Sequence, residues 1–191
     1  MKTAYRLMGQ RGADSTSVQD ILSESGLSTR AFYRHFESKK DLIAAMYRED
    51  SQRSSAELTV AVASAGTPTR AVEAWLDHWL SMSYDPRKLK HVRVLSMTEE
   101  ANSVAVRAAA LENRRTSMTL LAQVLANGLH NGDFPTAEPD DDARALQSAA
   151  LGLLEARLYK EHAPSLSSAR DHMLSLMSRV LGAQIGVRGT V

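Results

Sequence analysis

Between Ser28 and Lys39 the chain gathers Ser28, Thr29, Arg30, Tyr33, Arg34, His35 and Lys39. Each side chain is a hydrogen-bond donor or a cation. A guanidinium forks onto phosphate or onto the edge of guanine, a lysine offers a point charge, and hydroxyls donate to phosphate oxygens. The spacing matters as much as the types. Thr29 with Tyr33 and Arg30 with Arg34 stand four apart, so on a helix each pair shares a face. Phe32 and Phe36 are also four apart and take another face, where they can anchor the helix. A surface of this kind meets a phosphate backbone and base edges. Its basic character is local: Arg30, Arg34, Lys39 and Lys40 face one acid, Glu37, while the whole chain has a formal net charge of only +1. Affinity for a nucleic acid would then come from a small patch, doubled by dimerisation.

Something must position that patch. Thr16 precedes an apolar-periodic run and Gln19 follows three residues later, the spacing of a capping box. Val18, Ile21 and Leu22 then form one apolar stripe. Gly26 suits the left-handed end of that helix, Leu27 is expected to plug the corner, and Ser28 is a candidate N-cap for the next helix. Ser38 with Asp41 repeats the capping-box spacing, so a further helix opens as that one closes. A helix, a tight turn with glycine and a polar-faced second helix make a helix-turn-helix.

At these residues the chain resembles the TetR family of bacterial regulators. The likeness is carried by Ala4, Leu7, Met8 and Gly12, by Thr16-Ser17-Val18, Ile21 and Gly26-Leu27-Ser28, by Phe32-Tyr33-Arg34-His35-Phe36 and by Ser38-Lys39-Lys40-Asp41-Leu42. The resemblance implies that Tyr33 and His35 contact phosphates, that Lys39 holds phosphate at the start of the next helix, and that Thr16 or Ser17 does so from the first helix of the motif. Thr29, Arg30 and Arg34 fall where the family reads bases or adjoining phosphates. Two features depart from the pattern. Arg30 stands where glycine is frequent, adding a fork suited to guanine or to phosphate. The chain also begins part-way along the family's first helix, at MKTAYRLMG, so a short first helix without a basic arm is expected.

Beyond the motif the periodicity predicts a helix from Lys39 to about Ala63 and one from near Thr69 to Tyr84. Then come a short basic helix from Arg87 to about Met97 and a long helix from about Ser103 to His130. In the long helix Leu111, Met118, Leu121, Val124, Leu125 and Leu129 are expected to face inward. Helices over 141–162 and 166–185 close the chain, and the tail from Gly186 is expected to be loose. The last two carry apolar residues round much of their circumference: Leu146, Ala149, Ala150, Leu153, Leu154 and Leu158 on one, and Met173, Leu174, Leu176, Met177, Val180 and Leu181 on the other. Such helices need cover on two sides, and the resemblance implies that a second copy provides it, giving a homodimer through 141–162 and 166–185.

Trp75, His78, Trp79, Met82, Met97, Met118 and Tyr159 could line an apolar effector cavity, since Trp, Tyr and Met combine large apolar area with a polar or adaptable edge. For any one of them ordinary core packing is the competing reading. His78 and His91 flank the same region. The six histidines show no metal-ligand spacing, and Asp140-Asp141-Asp142 suits a helix N-terminus better than a cation site. No Walker loop, GxSxG elbow, HExxH or GxGxxG is present, so no catalytic residue, metal or cofactor is expected.

With 43% hydrophobic and 24% charged residues the composition is that of an ordinary globule, and no apolar run reaches the length of a membrane span. The absence of cysteine excludes disulfides and thiolate sites. The expectation is an all-α chain of about nine helices, with a helix-turn-helix domain over 1–46 and an effector-binding and dimerisation domain over 47–191. It would be a cytoplasmic one-component transcriptional regulator, most simply a repressor, whose partners are a double-stranded DNA operator and a small, largely apolar effector. An activator, or a helical protein-interaction module with weakened DNA binding, is the alternative.

Overall fold

The computed structural model describes residues 1–96, 103–159 and 162–186. Among them the chain is all-helical: α1 (Lys2–Arg11), α2 (Val18–Ser25), α3 (Thr29–Tyr33), α4 (Lys39–Ala63), α5 (Pro68–Tyr84), α6 (Pro86–Ser96), α7 (Val104–Asn131), α8 (Pro139–Leu158) and α9 (Leu166–Leu181). Two compact units emerge, one made of residues 1–53 and 86–112, the other of 54–85 and 113–191.

The first unit is built on one apolar cluster. Ala4, Leu7 and Met8 from α1, Ile21 and Leu22 from α2, Phe32 from α3, and Leu42, Ile43 and Met46 from α4 are all buried together with Leu95 and Val106. Although α1 has only ten residues, it is tied down by polar contacts as well. The Tyr5 hydroxyl donates to Asp50 Oδ2 at 2.6 Å and lies 3.1 Å from the Met46 carbonyl oxygen. Burial, and then the Asp50 carboxylate that accepts its proton, hold Tyr5 far above the usual phenol range. Its ring stacks on His91 of α6 with centroids 4.6 Å apart. Arg6 pairs with Glu24 of α2. His91 therefore belongs to this unit, with Nδ1 3.7 Å from Asp50 Oδ2.

The cap of α2 is displaced by one residue from expectation. Ser17, not Thr16, is the N-cap. The Asp20 amide donates to Ser17 Oγ at 3.1 Å and the Ser17 amide donates to Asp20 Oδ2 at 2.8 Å, a closed capping box. Thr16 points inward, buried, and its hydroxyl donates to the Gly12 carbonyl at 2.8 Å. The registers differ because an aspartate is a stronger acceptor for an N-cap amide than the neutral Gln19. Hydrogen bonds from the Ser17 hydroxyl and amide, helped by Arg11, hold the Asp20 carboxyl below its ordinary value of 3.8.

The second unit is organised round α5, which packs against both α8 and α9. Trp75, Leu76, Val72 and Leu80 of α5 are buried, and α7 contributes Leu121 and Leu125. The indole nitrogens of Trp75 and Trp79 donate to one acceptor, Ser117 Oγ on α7, at 3.0 and 3.1 Å. Phe134, fully buried in the turn after α7, seats its ring against Gly128, and a methyl group at that glycine would overlap the ring. In α7 Leu111 and Leu129 are exposed, 63% and 41%, against the expectation that both face inward. The inward stripe is narrower and centred on Leu121 and Leu125. The last two helices are also shorter than expected. Helix α8 opens with Pro139 at its first turn and closes at Leu158, and α9 stops at Leu181, where Gly182 takes the left-handed conformation. Gly186 is held, its amide donating to Glu73 Oε1 at 2.8 Å.

Two stability predictions follow from these contacts. Gly128→Ala should force Phe134 from its seat and lower stability by about 1–3 kcal/mol, seen as a lower urea midpoint. An unchanged midpoint would show that the ring moves freely. For Asp20 the sign is set by its depressed pKa: its stabilisation is complete above the ordinary carboxylate range and is lost as pH falls through the folded value. Asp20→Asn should therefore melt below the native chain near neutral pH, and the gap should close on acidification to about pH 2. A gap independent of pH would place the effect in packing.

Candidate nucleic-acid interface

Between α2 and α3 the chain turns sharply. Gly26 has φ 67 and ψ 18, the left-handed region that only glycine enters without strain. Leu27, expected to plug this corner, is instead 55% exposed. The Ala31 amide donates to Ser28 Oγ at 3.2 Å, so Ser28 caps α3. The regular helix has five residues, but helical bonding continues past Tyr33. The Arg34 amide bonds to the Arg30 carbonyl at 3.2 Å, the His35 amide to that of Phe32 at 2.9 Å, and the Phe36 amide to that of Phe32 at 3.0 Å.

That short coil is fixed from beneath. Phe32 is buried in the core of the first unit and its ring lies 5.5 Å from that of Phe36 and 5.2 Å, edge-on, from that of Tyr33. With Phe32 inside, Thr29, Arg30, Tyr33, Arg34 and His35 are all exposed. Arg34 Nη2 sits 3.4 Å from His35 Nε2. Directly afterwards the Asp41 amide donates to Ser38 Oγ at 3.2 Å, and the Asp41 carboxylate accepts from the Glu37 amide at 3.3 Å. This is the expected Ser38–Asp41 cap, with its return bond shifted to the preceding residue. It sets Lys39, half-buried, at the first turn of α4.

The first unit thus brings together Ser17, Ser28, Thr29, Arg30, Tyr33, Arg34, His35 and Lys39 on two helix starts and one exposed coil. Thr16 stands apart from that set, buried and bonded to Gly12.

The residues expected to line an effector cavity are dispersed differently. Trp75 and Trp79 are buried and share Ser117. His78 is half-buried and its Nε2 lies 3.0 Å from Ser54 Oγ. Met82 on α5 and Met118 on α7 are half-buried. Tyr159 is the C-cap of α8 and is 62% exposed, too open to line a closed cavity. Met97 lies outside the described residues. Three buried polar side chains of the same unit lie outside the expected set: Ser83, Ser117 and Gln147. Gln147 carried a signal, since it interrupts the apolar series Ala143, Ala150, Leu154 at helical spacing. Ser117 carried none.

Residues 1–46 match the family model described as bacterial regulatory proteins, tetR family. Over 43 residues the chain is 46% identical to the HTH-type transcriptional regulator YerO of Bacillus subtilis, a match that covers 22% of this chain and 15% of that relative. The fold is shared over nearly the whole length. The reduced form of E. coli NemR superposes with a TM-score of 0.74 at 24% identity, covering 97% of this chain and 96% of that one. A protein from Saccharomonospora viridis solved in complex with choline superposes with a TM-score of 0.78 at 21% identity, covering 93% and 92%. The helix-turn-helix segment is thus similar to the tetR family by sequence, and the remaining helices share the fold of these solved structures.

Proposed function

We propose that the chain is a dimeric one-component repressor that reads a near-palindromic operator in the cytoplasm and is released by a small, largely apolar effector. The observation that carries the reading is the exposed set Thr29, Arg30, Tyr33, Arg34 and His35, held outward by the burial of Phe32. Arg30 and Arg34 supply forks for a guanine edge or a phosphate, Tyr33 and His35 supply phosphate donors, and Ser17, Ser28 and Lys39 flank them at helix starts. Thr16 acts behind this surface by fixing the approach to α2.

Residues 1–46 form the DNA-binding part and 47–191 the effector-binding and dimerisation part. Leu153 on α8 and Leu176 and Val180 on α9 remain only half-buried in the single chain, which supports these two helices as the dimer face. Two copies place two recognition helices in successive major grooves. Helix α4 runs continuously from the cap beside the recognition coil into the second part. A change of its tilt on effector binding would space the two reading helices wrongly, and only an effector with different affinities for the two states can do this. That a protein of this fold has been solved with choline supports a small-molecule role for the larger part.

Selection of bound sequences from a random duplex library tests the reading. Enrichment of an inverted repeat, with half-sites about 10 base pairs apart, is the expected result. Failure to enrich any sequence would favour a protein-interaction module. On the selected duplex Tyr33→Ala should weaken binding to all sequences alike. Arg30→Ala should relax one position by about 1–3 kcal/mol if Arg30 reads a base. An equal loss on every sequence would make Arg30 a phosphate clamp.

A further inference from the structure

The second unit buries polar groups that its own fold leaves unanswered. Gln147, on α8, is 2% exposed, and neither its Nε2 nor its Oε1 has a hydrogen-bond partner among the described residues. A primary amide presents two donors and a two-lone-pair acceptor, and leaving all of them bare in a protein interior is costly. Ser117, on α7 and 3% exposed, is half-answered. An indole nitrogen can only donate, so the bonds from Trp75 and Trp79 fill both lone pairs of Ser117 Oγ. The hydroxyl proton is left over, with no acceptor for it among the described residues. Ser117 bonds to the indoles of α5, and Gln147 stands on α8, the helix that packs along α5. The contrast with the other buried polar side chains is sharp. Thr16 donates to Gly12 and Ser83 donates to the Trp79 carbonyl at 3.0 Å. None of the buried side chains among the described residues carries a charge.

We infer that Gln147, with the spare proton of Ser117, is the polar anchor of the effector site, and that the effector is a neutral molecule with an apolar body and a carboxamide-like group that both donates and accepts. The inference rests on the reading that the second unit binds an effector, and it deepens that reading by naming the anchor and the ligand class. A carboxamide answers both faces of Gln147 in one reciprocal pair of N–H···O=C bonds. Its second carbonyl lone pair can accept from a hydroxyl such as that of Ser117. An anionic head would face the Gln147 carbonyl with no cation among the fully buried side chains to balance it, and a hydrocarbon would leave the amide unanswered.

The test is thermal unfolding of the full chain with three matched probe pairs: benzamide and octanamide, benzoate and octanoate, toluene and octane. The native protein should be stabilised most by the amides. Gln147→Met, which keeps length and removes the amide, should melt no lower than the native chain without ligand and should lose the preference for amides over hydrocarbons. Ser117→Ala should reduce the amide effect more weakly. Equal or greater stabilisation by the carboxylates or hydrocarbons, or no response to any of the six, overturns the inference. So does a Gln147→Met variant that unfolds or melts well below the native chain, since it would show that the amide has a partner within the fold. Duplex selection reports separately on the regulator reading. An enriched operator without an amide response discards the anchor alone, whereas an amide response without an operator discards the repressor and leaves the site.

Discussion

Phe32 is the side chain on which the reading surface depends. A helix of five residues cannot sustain itself in water, because nucleation costs more than its few hydrogen bonds return. The coil from Thr29 to Phe36 persists because one ring is sunk among Leu22, Ile43 and Leu7, a burial worth roughly 2–3 kcal/mol. Two caps, from Ser28 and Ser38, fix where the coil starts and where the next helix takes over. Once Phe32 points inward, helical geometry leaves no choice for Arg30, Tyr33 and Arg34. They must face out. The chemistry of the surface is therefore a consequence of the core beneath it, and the glycine at residue 26 is the hinge that permits the coil to be laid against α2.

The two units differ in how their buried hydroxyls are bonded. In the first, Thr16 donates to Gly12 and Tyr5 to Asp50. Rigid presentation of an interface requires this, since a looser set of contacts would let the exposed side chains wander by more than a hydrogen bond tolerates. In the second unit the two tryptophans converge on one serine, and a glutamine is enclosed with no hydrogen-bond partner among the described residues. A fold does not need such groups for stability, and an apolar residue of similar volume would serve it better. Retaining them makes sense where a ligand completes the bonding.

Most of the fold was legible from periodicity and punctuation. The starts and ends of α4, α5 and α6 are marked by Ser38, Gly66-Thr67-Pro68 and Asp85-Pro86, and there expectation and structure agree within a residue or so. Misreadings came where two residues offered similar local chemistry. Thr16 with Gln19 and Ser17 with Asp20 both satisfy a capping-box spacing, and charge decided between them. Leu27 and Leu111 are apolar yet exposed, because apolarity permits burial without requiring it. The exposed residues of the candidate interface were legible because they sit within one short stretch whose caps, glycine and rings fix one another. The second unit's buried polar groups were not, because Ser117 meets the Trp75/Trp79 pair only through the fold, from a helix that no local pattern relates to theirs. His91 shows the same limit: its partner Tyr5 is far away in sequence, and only the fold places the ring against it.

The modest charge of the chain bears on how it can discriminate between DNA sequences. A strongly basic domain would bind any duplex by releasing counterions, and that affinity carries no sequence information. Here the formal net charge is +1, and the cations of the interface are confined to the coil and to the start of α4. One copy therefore offers few phosphate contacts, and a single half-site would be held weakly. In the proposed dimer, two copies joined rigidly would multiply those contacts, and the second recognition event would become intramolecular. The gain exists only when the spacing between the two coils fits the groove repeat. A weak individual interface thus makes binding sensitive to dimer geometry. Under the proposed reading, a small ligand acting far from the DNA would then release the protein without touching any residue that contacts it.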